Sequence, residues 1–465
     1  VRFLGVALVA AGGLASPGCG GEGTAVVIEI QAIDLAAPGD IDAFCLAVGD
    51  RDVGGGEFAQ VYALGGEVPQ LPQTLTVEPG SAESAFAWVR GYRRGVELAR
   101  DAAEVSFDGG EVALELARCP GGPGGAPRAV ADASLPEGSR AALSVGRTGS
   151  ALVAVGEGAA QVLGPRDDQL AALEVAVPAV GAGAVVDLVA FDADGDCDDD
   201  VLVVTDGAAP ALWQRGPDGS FTELAGALDG APTSSAAAAA DFDGDGAIDL
   251  ALGRADGLDI WLNDGTGQFD SGAAAEGDGA TDVVRLAADD LDGDGAVDLV
   301  AGRGATEAAP SRVLFGDGEG GFATSAAALP EVPFQVRALA LRDLDGDGFS
   351  DLVLGGAEMS IHLYLNRTDG RLEDLSFVRL PNVEPVDAVS IAAGDWDGDC
   401  FADLVIGLAD GGEPLSWRGS ETGELVEDGS AATAGEQVLF GDGDDDGDLD
   451  LFAIEGGAAL GWATR

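Results

Sequence analysis

Six acidic turns stand in register along this chain, about one every 50 residues. They read DADGDCDDD from Asp192, DFDGDGAID from Asp241, DLDGDGAVD from Asp290, DLDGDGFSD from Asp343, DWDGDCFAD from Asp395 and DGDDDGDLD from Asp442. Each runs straight into an apolar segment such as DLALG or DLVLG. A repeat of this length is one supersecondary unit that buries its apolar faces only against its neighbours. The flanking runs are short and β-rich, which points to an all-β array, most simply a propeller with one blade per repeat.

The pattern D-x-D-x-D-G-x-x-D places carboxylates at positions 1, 3, 5 and 9 of every turn. Position 1 is Asp192, Asp241, Asp290, Asp343, Asp395 and Asp442; position 3 is Asp194, Asp243, Asp292, Asp345, Asp397 and Asp444. Position 5 is Asp196, Asp245, Asp294, Asp347, Asp399 and Asp446; position 9 is Asp200, Asp249, Asp298, Asp351, Asp403 and Asp450. A Gly at position 6 permits the sharp turn that brings them to one point. Two carboxylates about 5 Å apart repel by roughly 3 kcal/mol at an effective dielectric of about 20, so four would splay the turn unless a cation sat between them. Hard oxygen ligands in a flexible loop favour Ca²⁺, which gives up to six structural sites. An EF-hand is excluded: it needs a Glu at position 12, where this chain has Val203, Leu252, Ala301, Leu354, Ile406 and Ala453. Cys197 and Cys400 replace the Gly in two turns, and Asp198, Asp199, Asp445 and Asp448 add charge to the first and last.

The rest of each repeat is periodic too. Trp213, Trp261, Leu314, Tyr364 and Trp417 each stand a fixed step before Phe221, Phe269, Phe322, Leu372 and Leu425, across a Gly-rich turn. An apolar pair kept in every repeat is expected to pack between blades. Residues 141–170 carry the strand pattern without an acidic turn and read as a blade that has lost its loop. The last repeat has three strands, and a segment at 128–136 is expected to supply the fourth. That gives a seven-bladed β-propeller over residues 128–465, closed by both ends of the chain.

Residues 1–19 read as a secretion signal, apolar and then rich in small residues, with Cys19 placed for lipidation. Residues 24–119 alternate in short runs broken every 8–12 residues by Gly, Pro and Asp, as in an antiparallel β-sandwich. PGGPGGAP at 120–127 is a linker. Of the remaining cysteines, Cys45 and Cys119 flank the sandwich and are the favoured bridge. Cys197 and Cys400 lie too far round the ring to pair, and one of them could reach Cys119 instead.

Composition narrows the function. Asp and Glu number 82 against 23 Lys and Arg, for a formal net charge of −59. Such a surface repels nucleic acid and anionic lipid, so contact with a membrane is expected only through the lipid anchor. A single His, His362, excludes His-rich metal centres and lies in the alternating run SIHLYLN, a plain strand position.

On these turns, residues from about 140 to 465 resemble the FG-GAP/VCBS repeats of the integrin alpha-subunit propeller and of bacterial surface proteins. The resemblance implies calcium at positions 1, 3, 5 and 9, in the loop between the first two strands of a blade. It names no ligand. The chain is expected to be an exported, non-enzymatic binding or adhesion module of the cell envelope, with a surface protein or glycan as partner. Lectin-like carbohydrate binding is the alternative. A calcium-dependent polysaccharide lyase is a further one, disfavoured by the scarcity of Lys and His.

Overall fold

A computed structural model describes the strands within residues 6–117. From 135 to 463 it describes all of the chain except 137, 146–149, 167–168, 275–280, 305–306, 326, 358, 383, 400, 429–434, 443–448 and 456–458. The repeats form antiparallel β-sheets arranged as a propeller. Blade 3 shows the plan. Ala236–Ala240, Asp249–Gly253, Leu258–Asn263 and Phe269–Ala274 pair in chain order, each with the next. Helix propensity would make AAAAA a helix. Its ladder with Asp249–Gly253 holds it as a strand instead, because tertiary pairing outweighs the weak local preference.

The innermost strands are Arg140–Ser144, Val185–Phe191, Ala236–Ala240, Val283–Asp289, Val336–Arg342 and Ala388–Gly394, one per blade for blades 1 to 6. Each packs beside the next. Blade 1 is the four-stranded sheet without an acidic turn, as expected from 141–170.

Six blades are shown, where the sequence reading expects seven. The last strands, Gln437–Gly441, Asp450–Glu455 and Ala459–Ala463, form a three-stranded sheet between blade 6 and blade 1. The segment expected to complete it lies almost wholly outside the described residues, and its described part, Leu135 and Pro136, is not strand. The seam is nonetheless bonded: Gln437 Nε2 donates to the Ala141 carbonyl and Gln437 Oε1 accepts from the Ala141 amide, both at 2.9 Å.

Apolar clusters fill the clefts between neighbouring sheets. Leu202, Val204, Leu250, Leu252 and Trp261 lie between blades 2 and 3. Leu152 and Leu163 of blade 1 meet Phe452 and Ile454 across the seam. Buried side chains of this kind contribute about 1.5–3 kcal/mol each. The clefts are tight enough to specify glycine. A Cβ on Gly302 would meet Val336 Cγ1 at 2.9 Å, and one on Gly355 would meet Ala388 Cβ at 2.8 Å. The Gly that ends DLVAG and DLVLG therefore lets the next blade's first strand come close.

Two features were not foreseen. One turn of helix, Ser376–Arg379, follows the outer strand of blade 5, and Ala309–Pro310 pairs with Pro333–Phe334 beside blade 4. His362 begins Val353's partner strand in blade 5, as expected, with its ring 4.5 Å from that of Phe334.

The strands within 6–117 form two four-stranded sheets. One contains a parallel pair, Val26–Ile33 with Glu111–Ala117, which departs from the antiparallel expectation. A sandwich is not shown. Cys19, the linker at 120–127, Cys119 and Cys400 lie outside the described residues.

Candidate metal centre

Each acidic turn joins the innermost strand of its blade to the second, so the turns share one face of the ring. The backbone of the turn is wound around its own carboxylates. Asp241 Oδ1 accepts from the Gly244 amide at 2.7 Å and Asp241 Oδ2 from the Gly246 amide at 3.2 Å. Asp243 accepts from the Asp245 amide and Asp245 from the Ala247 amide. Asp290 and Asp343 repeat the first two bonds. This run of side-chain-to-backbone turns is what Asp does when its carboxylate sits two to five residues before a free amide.

Both glycines in D-G-D-G are needed. At position 6, Gly246, Gly295 and Gly348 have φ of +95°, +91° and +91°. Position 4 is also left-handed, at +76° for both Gly244 and Gly346, a requirement that the sequence reading did not assign. Cys197 takes the position-6 conformation at φ +71° without the freedom of Gly. Its side chain is fully buried and disulfide-bonded.

Five turns bring carboxylate oxygens within 4.8 Å of one another. The groups are Asp192, Asp194 and Asp196; Asp241, Asp243 and Asp249; Asp290, Asp292 and Asp294; Asp343, Asp345 and Asp347; and Asp395, Asp397 and Asp399. With Ca–O bonds of about 2.3–2.6 Å, oxygens on opposite sides of one ion stand about 5 Å apart, so the spacing fits. Two position-3 oxygens make the same point. Asp345 Oδ1 and Asp397 Oδ1 are buried with no hydrogen-bond partner, a costly condition for a carboxylate that a cation would relieve. The residues present fit a hard divalent ion. Of the sixth turn, Asp442 and Asp450 are buried, while Asp444 and Asp446, with Asp445 and Asp448, lie outside the described residues.

Position 9 does something the sequence reading missed. Asp249 Oδ2 accepts from the Phe242 amide at 2.9 Å, and its Oδ1 accepts from the Asn263 amide at 2.8 Å. Asp298, Asp351 and Asp403 make the same pair of bonds, to Leu291 and Gly316, to Leu344 and Asn366, and to Trp396 and Gly419. Asp200 does so with Ala193 and Arg215. The buried position-9 carboxylate thus ties the start of the turn to the end of the third strand. Among the described residues only Asp249 also joins its turn's oxygen group. Burial raises these acids, to about 9 for Asp200, about 8 for Asp351, about 7 for Asp249 and Asp298, and about 6 for Asp403. The backbone bonds oppose the rise, and the other aspartates of the turn add to it.

Position 2 anchors the turn from below. Ala193, Phe242, Leu291, Leu344 and Trp396 are all buried in the clefts between sheets. Neighbouring turns are also joined: Asn263 Nδ2 donates to the Ala193 carbonyl at 2.7 Å, and Asn366 Nδ2 to the Leu291 carbonyl at 2.7 Å. Repeated LN in WLNDG and YLNRT was the available signal.

Blades 2 and 6, which carry the Cys substitutions, differ further. Gln214 donates to Asp194, and Arg418 Nη1 binds Asp397 Oδ2 at 2.7 Å, so each takes one oxygen of a position-3 Asp. The extra Asp199 serves the fold: its amide donates to the Val145 carbonyl and its Oδ2 accepts from the Val145 amide, joining blades 1 and 2. The repeated rings are core. Trp213, Trp261, Tyr364 and Trp417 are at most 5% exposed, so they offer no face to a sugar.

Among curated proteins nothing matches this chain. Two of the solved structures that match do so weakly. One is a lectin of Agrocybe aegerita, described as recognising non-reducing terminal N-acetylglucosamine: 16% identity over 69% of this chain and 86% of that one, TM-score 0.49. The other is BBS1N in complex with ARL6DN, soaked with lead: 14% identity, 72% and 93% coverage, TM-score 0.47. The FG-GAP-like repeat family matches residues 192–252, 241–301 and 343–406. The chain therefore carries FG-GAP-like repeats, set in a β-propeller.

Proposed function

We propose that this protein is an exported, calcium-stabilised propeller that works as a binding or adhesion module at the cell surface. The observation that carries the calcium reading is the recurrence, in five turns, of three carboxylate oxygens close enough to share one ion. Positions 1, 3 and 5 would hold the ion in blades 2, 4, 5 and 6, and Asp241, Asp243 and Asp249 would hold it in blade 3. The ion would supply neutralisation of the clustered charge, and the turn would then hold the first two strands of each blade in register. Calcium here is structural, and the rigid ring is a scaffold for display. The repeat family supports a binding module rather than an enzyme. The outward export reading rests on the leader-like residues 1–19, and lipidation of Cys19 would tether the module to the envelope.

The test has two arms. Intact producing cells are treated with an external protease and probed for the protein; loss of signal is expected, and full protection contradicts export. Immobilised full-length protein is then offered surface protein and glycan fractions with calcium and with EGTA. Retention that EGTA releases is expected. Retention indifferent to EGTA would contradict a calcium-dependent display surface.

A further inference from the structure

The central channel holds a cavity of about 380 Å³ whose charge is unlike that of the rest of the molecule. Two guanidinium groups, Arg140 of blade 1 and Arg285 of blade 4, line it together with Asp187 of blade 2. Elsewhere Arg254, Arg312, Arg337, Arg367, Arg371 and Arg418 each have a carboxylate oxygen between 2.5 and 3.3 Å away, while Arg303 is bonded to the Thr281 carbonyl and hydroxyl and to the Pro310 carbonyl. Among the described residues Arg285 Nη1 donates only to the Val284 carbonyl, and no hydrogen bond or ion pair of Arg140 is found. In a chain with 82 acidic residues to 23 basic ones, two guanidinium groups against one carboxylate leave this cavity with a net positive charge.

Asp187 is the one carboxylate that lines the cavity beside the two guanidinium groups. Asp187 Oδ2 accepts from the Ala237 amide and Oδ1 from the Leu188 amide, so it is turned toward backbone. Burial raises its pKa, and the charges of Arg285 and Arg140 oppose the rise. Burial also lowers that of Arg140, Arg285 lowers it further, and Asp187 and Glu436 oppose the fall. The other polar residues at this level are already used. Ser390 Oγ donates to the Glu436 carbonyl and accepts from the Val438 amide, and Gln437 is bonded on both sides to Ala141.

The walls say what else the ligand carries. Asp187, Arg285, Ser390 and Gln437 all stand five residues before the first Asp of their turns. One residue further on, the lining is Leu188, Ala237, Leu286, Leu339, Ile391 and Val438, wholly apolar. A guanidinium fork matches a carboxylate in shape and charge, and a low-dielectric surround strengthens the bond. We propose that the channel binds a short aliphatic carboxylate, its head between Arg140 and Arg285 and its chain against the apolar ring.

Calorimetric titration of the full-length protein with sodium acetate, butyrate and sulfate tests this, at matched ionic strength with chloride as the blank. Saturable butyrate binding is expected, tighter than acetate by about fourfold per added methylene. R140Q and R285Q are each expected to weaken it about tenfold or more, while R285K retains part of it and R337Q, at a surface ion pair, leaves it unchanged. Circular dichroism of each variant establishes that it is folded. Four results overturn the proposal: no saturable carboxylate binding by the wild type, no gain with chain length, sulfate binding as well as butyrate, or full binding by folded R140Q and R285Q.

Discussion

Asn366 and Leu291 lie 75 residues apart in the chain and meet across a blade boundary, the Asn366 Nδ2 donating to the Leu291 carbonyl at 2.7 Å. The same amide reaches the Ser350 carbonyl, and the Asn366 backbone amide binds Asp351. One buried side chain therefore holds two acidic turns at a fixed separation. Replacing it with Ala strands a buried carbonyl and is expected to cost about 1–3 kcal/mol in urea unfolding. Asn366→Asp is expected to be worse than Asn366→Ala, because it sets a carboxylate against two carbonyls.

Gln437 is the polar stitch at the seam between the three-stranded sheet and blade 1. Gln437→Leu keeps the bulk and loses both bonds to Ala141. A fall in stability of about 1–3 kcal/mol is expected by chemical denaturation. Faster amide exchange should appear first along Arg140–Ser144 and Gln437–Gly441, if the seam is where the ring opens.

Gly246 has φ +95°, and a Cβ there meets nothing within 4 Å. The cost of Gly246→Ala is thus conformational, about 1–2 kcal/mol. The backbone of the Asp241 turn must shift to relieve it. Calcium titration should show weaker binding at one site, with the other sites unaffected.

The buried position-9 acids make a prediction about pH. Their folded-state pKa values, from about 6 for Asp403 to about 9 for Asp200, lie above the ordinary 3.8. The folded state then binds more protons than the unfolded state from about pH 4 up to those values, so stability falls as pH rises through that window. The contribution is whole below about pH 4 and lost above about pH 9. Metal-free protein, stripped and desalted, is expected to melt at a lower temperature at pH 8 than at pH 5. A melting temperature that rises over this interval would show that the acids are not held in this way. With calcium present the fall should shrink, because a bound cation favours the charged form.

Much of this was legible in one dimension. The starts of the turns and the sharp turn at Gly246 follow from a repeat seen six times, since each copy averages out local ambiguity. The blade without a turn was found by the same means. Contacts between copies were not legible. Nothing in YLNRT says that Asn366 reaches Leu291, and nothing in the position-9 Asp says that both its oxygens are bonded to backbone amides in five blades. Those facts depend on how far each sheet is rotated from the next. The count of blades depended on a strand borrowed from 128–136, which the sequence could nominate but not pair. The parallel pairing of Val26–Ile33 with Glu111–Ala117 is likewise set by topology, because strand pattern does not encode direction. Arg140 and Arg285 escaped notice because single cations in an acidic chain look like ordinary surface charge until the ring brings them to one channel.

The most direct measurement is a thermal melt of the metal-stripped chain against added calcium, with metal content of the untreated protein read by elemental analysis. At ten times Kd each site adds about 1.4 kcal/mol, so five or six sites predict a large, saturable rise in melting temperature and several equivalents of bound calcium. Equal melting temperatures with and without calcium, together with protein that carries no divalent metal, would contradict the account.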